Sequence, residues 1–213
     1  MQFTFPKVYP ILDSSMIPAL RRMEFLGALC PSLAAAGVTL MEYRNKTGSD
    51  AEIAADAAVL REHMPAGEVK LILDDRADLV DQVEFDGVHV DVGDLSPTQA
   101  RRLVGVNRIV GTFGGSDELL PGVLEAPADY LAIGPVFHTR TKHTEKRPIG
   151  LEGIRRLRQQ AGTSAVLSAA AGITFQTAQS VLDAGASMVA VAEAIFRTAD
   201  PAAEFARWKR ALG

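Results

Sequence analysis

The feature that most narrows the fold is a repeat. Eight short apolar runs alternate with helix-like stretches along the 213 residues. They are residues 7–13 (KVYPILD), 38–44 (VTLMEYR), 69–73 (VKLIL), 87–90 (GVHV), 108–113 (RIVGTF), 130–136 (YLAIGPV), 165–171 (AVLSAAA) and 188–195 (MVAVAEAI). The runs are continuous rather than alternating, which predicts strands buried on both faces, as in parallel sheets. Eight strand-then-helix units predict a closed (β/α)8 TIM barrel, small for its class. An open doubly wound sheet is the alternative, but no GxGxxG follows the first run. No linker or low-complexity segment divides the chain, so residues 1–213 read as one domain.

The connecting stretches carry helix punctuation. Residues 16–37 have helical spacing and end on a glycine, with Pro31 predicting a kink or a break into two helices. Ser49 and Glu52 fit a capping box for a helix to about Met64, and Ser96 and Gln99 fit another, with Pro97 at its first position. Brief helices are expected at 77–84 and after GGS at 114–116, the latter with Pro121 near its middle or end. Further helices are expected at 150–160, around Ala178, Val181, Leu182 and Gly185, and after Asp200–Pro201, where Trp208 lies.

Composition limits the partners. The net charge of −4 implies no basic face, which argues against nucleic acid and makes any group of cations a local cluster. A single cysteine, Cys30, cannot form an internal disulfide, which fits a reducing compartment, and its apolar surroundings predict a core position. The N-terminal residues lack a signal-peptide pattern, and no apolar run is long enough to span a bilayer. A soluble cytoplasmic protein with no membrane partner is expected. A homo-oligomer is compatible with the sequence, which does not decide the oligomeric state.

The polar residues of interest fall where strands end, which is the working face of such barrels. Glu42, Arg44 and Lys46 follow the second strand; residues two apart on a strand share a face, so Glu42 and Arg44 point the same way. Asp74 and Asp75 follow the third, and Asp94 follows the fourth. The sixth opens into GPVFHTRTK, where Thr139, Thr141, Lys142 and exposed backbone N–H groups make an oxyanion binder. Taken singly, Arg44 reads as a surface residue and Asp74 or Asp75 as a helix cap. Jointly, Arg44, Lys46 and Lys142 call for a multiply charged anion. Asp75 and Asp94 would repel that anion unless a divalent ion lay between, and few ligands beside a phosphate favour magnesium over zinc. Mg2+-bound pyrophosphate is the natural occupant. A second anion site is expected at Gly172 and Ala192–Glu193, after the seventh and eighth strands. His138 reads as a proton shuttle or a bystander on the rim, His89 as facing the interior, and His63 and His143 as surface residues.

Over nearly its whole length the chain resembles the thiamine phosphate synthase family, in a superfamily shared with the thiazole tautomerases. The matching stretches are EYRNK (42–46), LILDD (71–75), DGVHVDVGDL (86–95), GPVFHTRTK (134–142), GLEGI (150–154) and AGITFQTAQSVLDAGA (171–186). The resemblance implies a transferase of thiamine biosynthesis. Such an enzyme joins a hydroxymethylpyrimidine pyrophosphate to a thiazole phosphate, with or without a carboxylate, and releases pyrophosphate. It implies that Arg44, Lys46, Asp74 and Lys142 hold the pyrophosphate and that Asp75 and Asp94 bind Mg2+. It further implies that Thr139, Thr141, Gly172 and the Ala192–Glu193 backbone hold the thiazole phosphate, while Glu42 faces the pyrimidine. The family usually has glutamine at position 42, asparagine at 74, serine at 113, glycine at 171 and serine at 193; this chain has Glu42, Asp74, Phe113, Ala171 and Glu193. Two alternatives accompany this reading: a thiazole tautomerase, which resembles a barrel with histidine where Pro135 stands, and a non-catalytic paralogue that binds a thiazole phosphate or thiamine phosphate.

Overall fold

The computed structural model describes residues 3–138 and 147–213. Eight parallel strands close into a barrel in chain order: β1 Val8–Asp13, β2 Leu40–Arg44, β3 Lys70–Asp74, β4 Gly87–Val90, β5 Ile109–Gly115, β6 Tyr130–Ile133, β7 Leu167–Ala170 and β8 Met188–Val191. The fold is the expected (β/α)8 barrel. Side chains divide by parity along each strand. On β2, Met41 and Tyr43 pack outward against the helices, whereas Leu40 points into the barrel. Tyr9, Leu40, Ile72, Ile109, Tyr130 and Met188 fill the interior, with Phe3 and Phe5 packed against them. Outside, α1 Arg22–Ala35, α2 Asp50–His63, α3 Pro97–Val104, α4 Gly150–Ala161, α5 Phe175–Asp183, α6 Glu193–Phe196 and α7 Pro201–Leu212 cover the strands.

The elements differ from expectation where local pattern and tertiary packing compete. The helix expected from residue 16 starts at Arg22, after two short 3-10 turns at Ser14–Met16 and Ala19–Arg21. It runs unbroken through Pro31, because Leu26, Leu29, Cys30 and Leu33 anchor it to the core on both sides of that residue. Residues 77–84 form turns rather than a helix. Leu79, Val80 and Val83 are buried there, and Val83 N–H donates to the Leu79 carbonyl at 3.0 Å, but no helix propagates. The segment between β5 and β6 is likewise built of turns, tied back by Leu120 N–H to the Gly114 carbonyl at 2.9 Å. The Ser49 cap forms, but Glu52 bonds Asn45 at 2.7 Å instead of closing the box; the Ser96–Gln99 box closes fully. β8 ends at Val191, so Ala192 and Glu193 begin the short helix α6 instead of extending the strand. Cys30 is buried in the core, as expected, and Trp208 is buried there too. Among the described residues, no helix is long and apolar enough to cross a membrane.

Candidate active site

The site is built at the C-terminal ends of the strands. Register sets its first neighbours: Asp13 on β1 lies opposite Arg44 on β2, and Asp74 on β3 lies opposite His89 on β4. The turn after β2 is shaped from behind. Asn45 Oδ1 accepts from the Gly48 N–H at 2.8 Å, and its Nδ2 donates to the Tyr43 hydroxyl at 3.0 Å. Tyr43 donates to the fully buried Asp56, whose charge is met by Arg22 Nε at 2.7 Å. This network fixes the backbone between Arg44 and Lys46, and the sequence reading did not find it.

On the rim, acids and bases alternate. Arg44 pairs with Asp13, and its Nε lies 3.4 Å from Asp74 Oδ2. Lys46 Nζ lies 2.9 Å from the same oxygen and pairs with Asp75. Asp74 is buried, and burial raises its pKa to about 6, against the lowering field of Lys46. For Asp13, burial acts upward but is outweighed by hydrogen bonds from the Ser15 hydroxyl and amide and by Arg44, which hold it below the ordinary carboxylate range. Asp94 accepts from the Asp91 N–H at 2.9 Å; burial, then the hydrogen-bonded Asp75 carboxyl, raises its pKa.

These two carboxylates fit a divalent cation. Asp75 sits at φ 64, a conformation rare for a residue with a side chain, and its buried Oδ1 has no hydrogen-bond partner. Asp94 stands against it. The described residues contain no cluster of three or more His, Cys, Asp or Glu side chains suited to a metal, so any ion here would take its other ligands from water or a bound phosphate. That is the habit of Mg2+.

Inside the rim lies a cavity of about 220 Å³, walled by Phe113, Ala132, Ala170 and Ala190 and by a chain of buried polar groups. Tyr9 donates to Glu42 Oε2 at 2.8 Å, the Tyr9 and Tyr130 hydroxyls are 3.0 Å apart, and Tyr130 meets His89 Nδ1 at 3.1 Å. With Tyr9 donating to Glu42, Tyr130 donates to Tyr9 and accepts from His89. Tyr130 reaches this position because it lies over Gly111, where a Cβ would overlap its ring. Burial, reinforced by the charge of Asp74, raises Glu42 to about 8, while Tyr9, Arg44 and Lys46 act in the other direction. Glu42 is therefore a neutral acid at pH 7. Burial and then the Glu42 charge likewise push both tyrosines well above their ordinary value.

A second cavity, about 590 Å³, adjoins the first across Ile11, Arg44, Ala170, Ala171 and Ala190. Gly172, Ala192, Glu193 and Arg197 line it, as does the exposed His138. Glu193 is paired with Arg197 at 2.9 Å, which offsets its charge; Arg197 is a further residue that the sequence reading missed. Gly172, expected to admit a ligand, lines this cavity and is also approached on its Cβ side by the protein's own backbone. At φ 71, its Cβ position lies 2.5 Å from the His138 carbonyl oxygen. Val136 and Phe137 N–H donate to the carbonyls of Ala170 and Ala171 at 2.9 and 3.1 Å, joining the β6 and β7 loops. Thr139, Thr141, Lys142 and His143 lie outside the described residues. Of the expected site residues that are described, the structure gathers Glu42, Arg44, Lys46, Asp74, Asp75 and Asp94 around one cavity mouth and its rim, and Gly172, Ala192 and Glu193 around the adjoining cavity.

A family model described as thiamine monophosphate synthase matches residues 8–195. The chain belongs to that family. It is 43% identical to a thiamine-phosphate synthase of Koribacter versatilis over 186 residues, 87% of each chain. It is 38% identical to one of Chloroflexus aurantiacus over 207 residues, covering 97% of this chain and 92% of the relative. In structure it is similar to a thiamine phosphate pyrophosphorylase from Pyrococcus furiosus, with a TM-score of 0.75 at 26% identity, covering 97% of this chain and 96% of that one. The family is one of transferases, and the chain is an enzyme of that kind.

Proposed function

We propose that this enzyme joins a hydroxymethylpyrimidine pyrophosphate to a thiazole phosphate, giving thiamine phosphate and pyrophosphate. The observation that carries this reading is the rim itself. Asp13, Arg44, Asp74, Lys46, Asp75 and Asp94 form a continuous ladder beside a cavity of about 220 Å³ that holds a neutral carboxylic acid.

The cavity takes the pyrimidine. Glu42 Oε2 already accepts from Tyr9, so the acid's other oxygen carries the proton. That O–H donates to a ring nitrogen, and Oε2 accepts from the adjacent amino group, a pairing that an ionised carboxylate lacks. The diphosphate then lies over Arg44 and Lys46, which exchange their carboxylate contacts for phosphate oxygens, with Lys142 completing the set. Asp75 and Asp94 would hold Mg2+, which when bound supplies further neutralisation of the leaving group. Asp74, pushed to about 6 and wedged between two cations, opposes the anion less than a free carboxylate would.

The adjoining cavity takes the thiazole phosphate, with Thr139, Thr141, Gly172 and the Ala192–Glu193 backbone as its holders. The methylene carbon–oxygen bond breaks with its electron pair leaving on pyrophosphate. The amino group of the ring spreads the resulting positive charge, and the thiazole nitrogen lone pair forms the new carbon–nitrogen bond. The apolar walls keep water from that carbon. No general base is needed; the protein's contribution is charge placement and orientation, the latter worth about 7–11 kcal/mol. The single buried cysteine supports a cytoplasmic setting, and residues 1–213 are taken to work as one domain.

The test is incubation with both substrates, with and without Mg2+, following pyrophosphate and thiamine phosphate. Equal amounts of both products, dependent on Mg2+, are expected. Isomerisation of a thiazole carboxylate phosphate without the pyrimidine substrate or the metal, or binding with no pyrophosphate release, would overturn the assignment.

A further inference from the structure

The cavity that receives the pyrimidine contains one hydroxyl with nothing to bond. On β7, Leu167 and Ala169 pack into the outer core, so Ser168 and Ala170 face the barrel interior, and both line the cavity. Ser168 is 1% exposed, and its Oγ has no hydrogen-bond partner. Of its register neighbours, Ala132 on β6 has no side-chain acceptor and Met188 on β8 has only a weak thioether, which Ser168 does not bond. The hydroxyls of Tyr9 and Tyr130 are already committed to Glu42 and to each other. A buried hydroxyl without a partner is costlier than the methyl of an alanine in the same place. The geometry suits a group that is satisfied only when the cavity is filled.

On the proposed function above, the occupant is an aminopyrimidine. Such a ring has two nitrogens on either side of one carbon. Glu42 engages the nitrogen next to the amino group, on the β2 side. The other nitrogen is an acceptor without a partner on the Glu42 side, and Ser168 is a donor without one. We infer that Ser168 donates a hydrogen bond to this second ring nitrogen and so selects a diazine over a ring that lacks it.

The experiment uses the complete enzyme with Mg2+ and thiazole phosphate. It compares the pyrimidine pyrophosphate with its pyridine counterpart, in which CH replaces the second ring nitrogen. Ser168→Ala is expected to lower kcat/KM for the pyrimidine by about tenfold, the effect of one buried hydrogen bond, and to leave kcat/KM for the pyridine unchanged. KM for thiazole phosphate should not move, and the melting temperature should hold or rise, because the variant removes an unpartnered hydroxyl. Ser168→Gly, a second variant without the hydroxyl, should repeat the ligand selectivity. Equal losses on both rings, or none on either, would refute the role of Ser168, as would a fall in melting temperature that accounts for the lost activity. Wild-type enzyme that makes no thiamine phosphate at all would instead refute the underlying function.

Discussion

Replacing Glu42 by glutamine isolates the most perturbed carboxyl among the described residues of the site. The carboxyl is 3% exposed, and burial, with Asp74 nearby, lifts it from 4.5 to about 8. The folded state therefore holds a proton that the unfolded state has lost above about pH 5. For an acid raised on folding, this stabilisation is complete below the unfolded value and disappears as pH rises through the folded one. Between pH 6 and pH 9 the wild type should lose about 2–3 kcal/mol of stability from this group alone. For a chain of this length that is a fall of about 5–10 °C in melting temperature. Glu42→Gln has no proton to lose and keeps the donor–acceptor pair, so its stability should be flatter by that amount. The same protonation governs substrate capture: above pH 8 the ionised carboxylate loses its donor and repels the diphosphate. KM for the pyrimidine substrate should rise across this range in the wild type and stay level in the variant. Urea unfolding at pH 6 and pH 9, with KM measured in parallel, checks both. If Glu42→Gln shows the same loss of stability and the same rise in KM, the group responsible is not Glu42 and the neutral-acid argument fails.

Lys142→Ala should lower kcat by about 10²–10³ with an unchanged melting temperature, as for loss of one preorganised charge donor. Lys46→Ala should lower kcat similarly but also lower the melting temperature, because it leaves the buried Asp74 and its neighbour Asp75 without their shared cation; steady-state kinetics and thermal melts decide. Gly111→Ala should destabilise by about 1–3 kcal/mol or more, because its Cβ falls within the Tyr130 ring, and displacing that ring should also weaken binding of the pyrimidine substrate; denaturation and calorimetry read the two effects. Ala171 sits at φ 74. Ala171→Gly should relieve the strain and stabilise the protein by about 1 kcal/mol, seen as a rise of about 2–4 °C in melting temperature.

Part of the site was legible because barrel geometry converts sequence position into place. A residue at the end of a parallel strand lies on the same rim as every other, so Arg44, Lys46, Asp75 and Asp94 could be grouped before any coordinates. Period-two alternation put Glu42 with Arg44, and both line the cavity. His89 was expected to face the interior and does so, against Tyr130. Other partners were hidden. Asp13 read as a strand end, yet it pairs with Arg44 across a register that only sheet closure sets. Tyr9 and Tyr130 stood out only as members of apolar strand runs, and nothing local distinguishes a packed tyrosine from one whose hydroxyl completes a chain to a buried acid. Gly172 was legible as a special position, but not as one demanded by the approach of the β6 loop. The helix expected at 77–84 failed for a related reason. Its apolar spacing is compatible with a helix or a series of turns, and only contact with the core selects the turns.

By itself the sequence determined the periodic order: eight buried strands, most of the helices between them, and the charges at each strand's end. These follow from chain-local properties, namely side-chain polarity, period and turn chemistry. The tertiary structure decided everything that depends on distance across the barrel. It set which carboxylate faces which cation, how far Glu42 is removed from water, and that Ser168 is left without a partner. Proton affinity and hydrogen-bond satisfaction are properties of an enclosed volume, and that volume exists only once the first strand has met the eighth.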